Sequence, residues 1–143
     1  MRTALVIVGV VSALFWASVG RAESLPETDV IRAILGEGEG EPYAGKLALA
    51  YAIGNRGTLD GVYGKRAVIA KEGQFYRGSR PISSKSVKDA LRALKEARQR
   101  PTLDPTKGSR HWENIKAFGV PYWAEGKTPV YTVGSHAFYN DVK

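Results

Sequence analysis

The stretch Gly36-Glu37-Gly38-Glu39-Gly40-Glu41-Pro42 sets three carboxylates in a glycine hinge, and it divides the first half of the chain into two apolar helical patterns. Before the hinge, Val30, Ile31, Ile34 and Leu35 share one helical stripe. Ser24 and Glu27 have the spacing of a capping box, and Gly36 is the natural stop. After it, Pro42 suits a first helical turn. Tyr43, Leu47, Ala50, Tyr51 and Gly54 then repeat helically up to Asn55-Arg56-Gly57, the pattern of a central, buried helix. Like charges held this close disfavour simultaneous ionisation, and a carboxyl group that stays protonated near neutral pH is what a general acid needs. The bend is therefore a candidate active site, the plain alternative being three solvated loop glutamates.

The rest of the chain is less regular. Residues 58–80 form a looser region with a short helix expected around Lys65 to Ala70. Ser84 to Gln99 returns to a helical period, with Val87, Ala90, Leu91, Leu94 and Ala97 on one face, Lys and Arg on the other, and Pro101 as the stop. Pro101 to Lys127 is rich in Gly, Pro and aromatics, among them Trp112, Phe118, Tyr122 and Trp123, and predicts an ordered loop with a helical turn or two. Val130 to Val133 and His136 to Tyr139, separated by Gly134-Ser135, predict a small terminal hairpin. The expected class is mainly α, an α+β domain with a minor β element.

At 143 residues and 43% apolar content, the chain is sized for one folded domain. Residues 1–22 stand apart: Arg2 precedes an uncharged run from Ala4 to Gly20, and Gly20 and Ala22 place small residues before a cut after Ala22. That is the grammar of a secretory signal peptide, with a retained signal anchor as the alternative. The domain then spans 23–143 and works in the periplasm or at the cell wall, touching a membrane only through an uncleaved leader. There are no cysteines, which removes thiol nucleophiles and thiolate metal sites. Without Arg2 and Arg21 the net charge falls from +7 to +5, a surface suited to an anionic polymer or simply to solubility.

Elimination narrows the chemistry. A Gly-x-Gly-x-Gly pattern invites a phosphate loop, but phosphate cradles need free backbone N–H groups and usually a Lys, not three acids. The ligand alternation of a calcium loop is missing, and two histidines, His111 and His136, without a His-Glu-x-x-His pair do not make a zinc site. No Gly-x-Ser-x-Gly elbow occurs. Carboxylate acid–base chemistry remains, with no metal and no cofactor. Glu37 follows the C-terminal end of the first helix, where the dipole disfavours a negative charge, and is the candidate acid. Glu41, at the start of the second, is favoured as a charged orienting group. Elsewhere Gln74 and Phe75 could form a polar hook with a stacking ring, and His136 and Tyr139 could reach the site from the terminal strand. Glu113 is the best second carboxylate outside the hinge. Each has a plainer reading as a core, loop or hydrogen-bonded structural residue.

The hinge with its flanks, Ile34-Leu35-Gly36-Glu37-Gly38-Glu39-Gly40-Glu41-Pro42-Tyr43, resembles the Gly-Glu-Ala-Arg-Gly-Glu-Pro block of the SleB-type cell wall hydrolases. The resemblance continues through Ala50 to Arg56, Gly73-Gln74-Phe75, Gly108 to Asn114, Tyr122-Trp123-Ala124 and Gly134 to Tyr139. It implies a lysozyme-like helical fold acting on the glycan strands of peptidoglycan; a monomer is expected, with no nucleic acid as partner. The reaction is commonly that of a lytic transglycosylase. It also implies that Glu37 is catalytic; the expected substrate contacts are Gln74, Phe75, Glu113, Tyr122, His136 and Tyr139. Gly38-Glu39 replaces the family's Ala-Arg and puts a negative charge where a positive one is usual. The other outcomes compatible with these residues are a hydrolytic muramidase and a secreted wall-binding module without catalysis.

Overall fold

Apolar residues at helical spacing build the first layer of the computed structural model, which describes residues 24–142. The expected leader, residues 1–22, lies outside them. Helix α1 (Glu27–Gly38) buries Val30, Ile31, Ala33, Ile34 and Leu35, and α2 (Tyr43–Arg56) buries Ala48 through Ile53. Helix α1 runs two residues past its expected stop, so Glu37 sits in its last turn. The Ser24–Glu27 box does not form: Pro26 occupies the cap position without a side-chain hydrogen bond. Gly57 ends α2 in the left-handed conformation (φ 69°), donating to the carbonyls of Ile53 and Gly54, a geometry that costs glycine least. No helix among the described residues is long and apolar enough to cross a membrane.

A one-turn helix α3 (Gly64–Ala67) leads into β1 (Ile69–Lys71), β2 (Gln74–Arg77) and β3 (Arg80–Pro81), an antiparallel meander in that order. This sheet was not expected. Its first turn, Glu72-Gly73, has both residues at positive φ (52° and 74°), the conformation of a tight hairpin turn. The mixed polarity of the strands hides them from pattern reading, since Ile69, Ala70, Lys71 and Gln74 are all exposed. Helix α4 (Ser84–Gln99) is capped by Ser83, whose side chain accepts from the N–H of Ser86. It packs Ala90, Ala93, Leu94 and Ala97 into the main core, whereas Leu91 stays 41% exposed.

The second sheet joins β4 (His111–Asn114), β5 (Tyr131–Val133) and β6 (His136–Tyr139) in the order β4-β6-β5. The β5–β6 hairpin matches expectation; β4, placed in the loop region by sequence, is the added edge strand. Its register pairs His111 with Tyr139 and Asn114 with His136. Phe138 packs this sheet against Ala48, Leu49 and Ala52 of α2. The opposite face carries Tyr139 and Ala137 against Trp123 and Ile115. A central helix with helices on one side and a small sheet on the other is thus an α+β arrangement, and the hinge joins the two halves.

Candidate active site

Two glycines let the backbone hold Glu37. A side chain on Gly36 would collide with the carbonyl of Gly64, and a Cβ on Gly64 would lie 2.6 Å from both the nitrogen and Cγ of Glu37. With neither present, the end of α1 and the start of α3 touch backbone to backbone. The N–H of Gly64 donates to Glu37 Oε1 at 2.8 Å. One carboxyl oxygen is thereby fixed, and Oε2 makes no such bond among the described residues. The last turn is held from outside as well: Arg77 Nη2 donates to the carbonyls of Leu35 (3.0 Å) and Gly36 (3.2 Å), groups that a helix end leaves unpaired.

Glu37 lines a cleft of about 510 Å³ between the helical layer and the second sheet, within the usual range for a ligand site of roughly 300–1,000 Å³. The other carboxylate lining it is Glu113 on edge strand β4, whose Oε1 accepts from the N–H of Asn114 at 2.9 Å. Tyr63, Trp112, Phe118 and Trp123 supply aromatic walls. Tyr63 and Phe118 are 75% and 78% exposed, so their rings face solvent rather than core. A narrow cleft with one oriented carboxyl group, a second carboxylate and exposed rings can grip a sugar polymer and transfer a proton to it. Among the described residues no cluster of His, Asp and Glu could hold a metal ion. A smaller cavity, about 280 Å³ beneath Leu25, Tyr51 and Leu94, contains no carboxylate.

The other two hinge glutamates are committed elsewhere. Glu39 is clamped by Arg80 (2.7 and 2.9 Å) and Arg77 (2.9 Å), and the Arg80 hydrogen bond, aided by Arg77, holds its carboxyl down at about 2. The charge reversal in the hinge therefore has a structural use: it neutralises the arginine that caps α1. Glu41 accepts from the N–H of Ser135 (3.1 Å) and contacts His136 Nδ1 at 2.9 Å, which ties the β5–β6 turn to the start of α2. Gly134 makes this approach possible, since a side chain there would collide with Glu41 Oε2. Between them, the buried Lys46 donates to the carbonyls of Glu39 (2.9 Å) and Glu41 (2.6 Å), and burial pushes its ammonium below the usual lysine range.

Residues 40–139 match the family model described as cell wall hydrolase. The chain belongs to the cell wall hydrolase family. The crystal structure of the catalytic domain of the Bacillus cereus SleB protein has the same fold, with a TM-score of 0.51 and 22% identity, covering 82% of this chain and 94% of that one. No curated sequence matches the chain. The family makes it a peptidoglycan-degrading enzyme. The family match starts at Gly40, three residues beyond Glu37, so the role of Glu37 rests on geometry and on the resemblance of the hinge.

The expected substrate contacts of the hydrolase separate into two groups. Glu113 shares the cleft with Glu37. Gln74 and Phe75 lie on β2, outside the lining, and Phe75 packs against the main core while Gln74 points to solvent. Tyr122 is 88% exposed but outside the lining; its neighbour Trp123 faces the cleft in its place. His136 and Tyr139 are buried (1% and 2% exposed), one against Glu41 and the other edge-on to Trp123. They position other groups and do not line the cleft, because alternation along β6 turns both into packed layers. Tyr63, Arg56 and the N–H of Gly64 were not foreseen. Tyr63 and Gly64 sit in a segment without period, and a backbone donor leaves no residue signature.

Proposed function

We propose that the hydrolase is a lytic transglycosylase that cleaves the bond between N-acetylmuramic acid and N-acetylglucosamine, with Glu37 as its single acid and base. The observation that carries this reading is the Gly64 N–H on Glu37 Oε1, which leaves Oε2 free to address a bound polymer. Oε2 donates its proton to the glycosidic oxygen as the bond to the muramyl C1 breaks, through an oxocarbenium-like transition state. The resulting carboxylate, stabilised by the same N–H, takes the proton of the muramyl C6 hydroxyl. O6 then bonds to C1, giving a 1,6-anhydro end without consuming water. The exposed rings of Tyr63 and Phe118 support sugar stacking along the cleft.

Glu113 supports a second reading, because a carboxylate in the same cleft could activate a water for hydrolysis, as in a muramidase. Digestion of purified peptidoglycan with identification of the product ends by mass spectrometry decides between them. Anhydro-muramyl ends support transglycosylation, and reducing ends alone overturn it. The apolar, small-residue pattern of residues 1–22 supports export to the periplasm or wall, where the substrate lies. Mass spectrometry of the mature N-terminus tests cleavage after Ala22 against a retained anchor.

A further inference from the structure

Beside the cleft lies a second concavity of about 520 Å³, and Arg56 and His111 line both. Its remaining walls include Lys107, Arg110, Asn140 and Asp141. Arg56, Lys107 and Arg110 thus meet in one hollow, and none of the three forms an ion pair with a carboxylate among the described residues. Asp141, the carboxylate at the rim, pairs with none of them. This is the opposite of the hinge, where Glu39 neutralises Arg77 and Arg80.

The hollow is also built. Asp104, outside the lining, organises the turn that supplies Lys107 and Gly108 to it, accepting from Asn55 (2.8 Å), Gly108 (2.9 Å) and Thr106 (2.6 Å). The turn it organises holds Lys107 at φ 54°, a conformation that non-glycine residues seldom adopt without surrounding constraint. Asn140 donates to the Lys107 carbonyl at 3.2 Å. The Arg56 guanidinium is held by the carbonyls of Arg110 (3.0 Å) and Asp60 (2.5 Å), and its buried Nε has no protein partner. The field of these cations is felt locally: burial, then Arg56 and Arg110, push His111 below the ordinary histidine range.

We propose that this hollow is a subsite for the carboxylates of the peptide stem that the muramyl residue carries on its lactyl group. The inference rests on the transglycosylase reading for its substrate and adds the part of that substrate which glycan contacts leave out. A stem branches from the same sugar whose C1 is attacked, so its free carboxylates lie beside the cleft, and the hollow shares two residues with the cleft wall. Fork-shaped guanidinium groups bind carboxylates in pairs of hydrogen bonds. Three cations gathered in one open concavity suit a short peptide better than a long anionic chain, which would call for a basic stripe running along the surface.

The test uses the disaccharide in which N-acetylglucosamine precedes N-acetylmuramic acid, with its peptide stem and with the stem removed. Neither probe contains the bond to be cleaved, so binding is read apart from catalysis. Calorimetric titration of the wild-type protein at low salt should give at least tenfold tighter binding of the stem-bearing probe. Lys107→Gln with Arg110→Gln should bring the two probes to parity, and the charge-retaining pair Lys107→Arg with Arg110→Lys should restore most of the preference. Parity in the wild-type protein, including binding of neither probe, overturns the inference, as does an unchanged preference in the Gln pair. Failure of the catalytic reading would appear instead in the product ends, leaving these titrations to be decided on their own.

Discussion

The two walls of the cleft carry one carboxylate each and hold it in different ways. On the helical wall Glu37 is gripped by a backbone N–H at a contact only two glycines permit, and the turn below it is capped by Arg77 and steadied by Lys46. On the sheet wall Glu113 stands on an edge strand, bonded only to the N–H of its own neighbour, among half-exposed rings. Preorganisation is what makes a proton donor effective, because no reorganisation remains to be done as the bond breaks. In the proposed mechanism the helical wall is the chemical side, and the sheet wall the side that grips the polymer.

The largest effect should come from Glu37→Gln, which keeps shape and hydrogen-bonding capacity but cannot cycle a proton. Turnover of purified peptidoglycan should fall by about 10²–10⁴-fold, with an unchanged circular dichroism spectrum. Full activity in this variant would break the comparison outright. Gly64→Ala should come next, since its Cβ would lie 2.6 Å from Glu37 backbone. Urea denaturation should show a loss of about 1–3 kcal/mol, the usual range for overpacking, together with reduced turnover. Gly40→Ala serves as the control: nothing lies within 4 Å of its Cβ position, and stability should change by less than about 1 kcal/mol. Glu113→Gln should lower turnover by less than about tenfold if the sheet wall only grips. A loss matching that of Glu37→Gln would sharpen the reading in the other direction and make Glu113 the water-activating base of a hydrolase.

The helical wall was also the legible one. Helices α2 and α4 announce themselves through period, a proline at the start of one and a proline past the end of the other. The hinge announces itself through charge density, and the fold parts its carboxylates: Glu37 lines the cleft, Glu39 meets Arg77 and Arg80, and Glu41 meets Ser135 and His136. Helix α1 overran Gly36 because that glycine serves as a contact point for Gly64, and the sequence pattern of a helix stop is the same in both cases. The sheet wall was harder to read. Strand β4, His-Trp-Glu-Asn, has no alternation because it is an edge strand half-exposed on both faces. The β1–β3 meander likewise lacks an apolar face, and Gln74 and Phe75, attractive as a pair, fall on it away from the cleft. Trp112, Phe118 and Trp123 were visible as contact surface, but only the fold shows that they share a cleft with Glu37.

Glu39 supplies the smallest effect and the finest test of what steadies the helical wall. Its carboxyl is held at about 2 in the folded chain against an ordinary value of 4.5, chiefly by the hydrogen bond from Arg80. A carboxyl lowered on folding adds stability that is complete above the unfolded value. That contribution shrinks as pH falls from about 4.5 and is gone below about 2. Arg77 and Arg80 are 36% and 56% exposed, so solvent screening reduces the contribution to on the order of 1–2 kcal/mol. Glu39→Gln should therefore lower stability at pH 7 by that amount and flatten the part of the pH–stability curve between about 4.5 and 2 that Glu39 accounts for, with the difference between variant and parent vanishing at the acid end. Turnover should stay within about threefold of the parent, since Arg77 keeps its bonds to the carbonyls of Leu35 and Gly36 without help from Glu39. If turnover instead fell as far as it does in Gly64→Ala, the grip on Glu37 would depend on the charge of Glu39, and the clamp would be part of the catalytic wall.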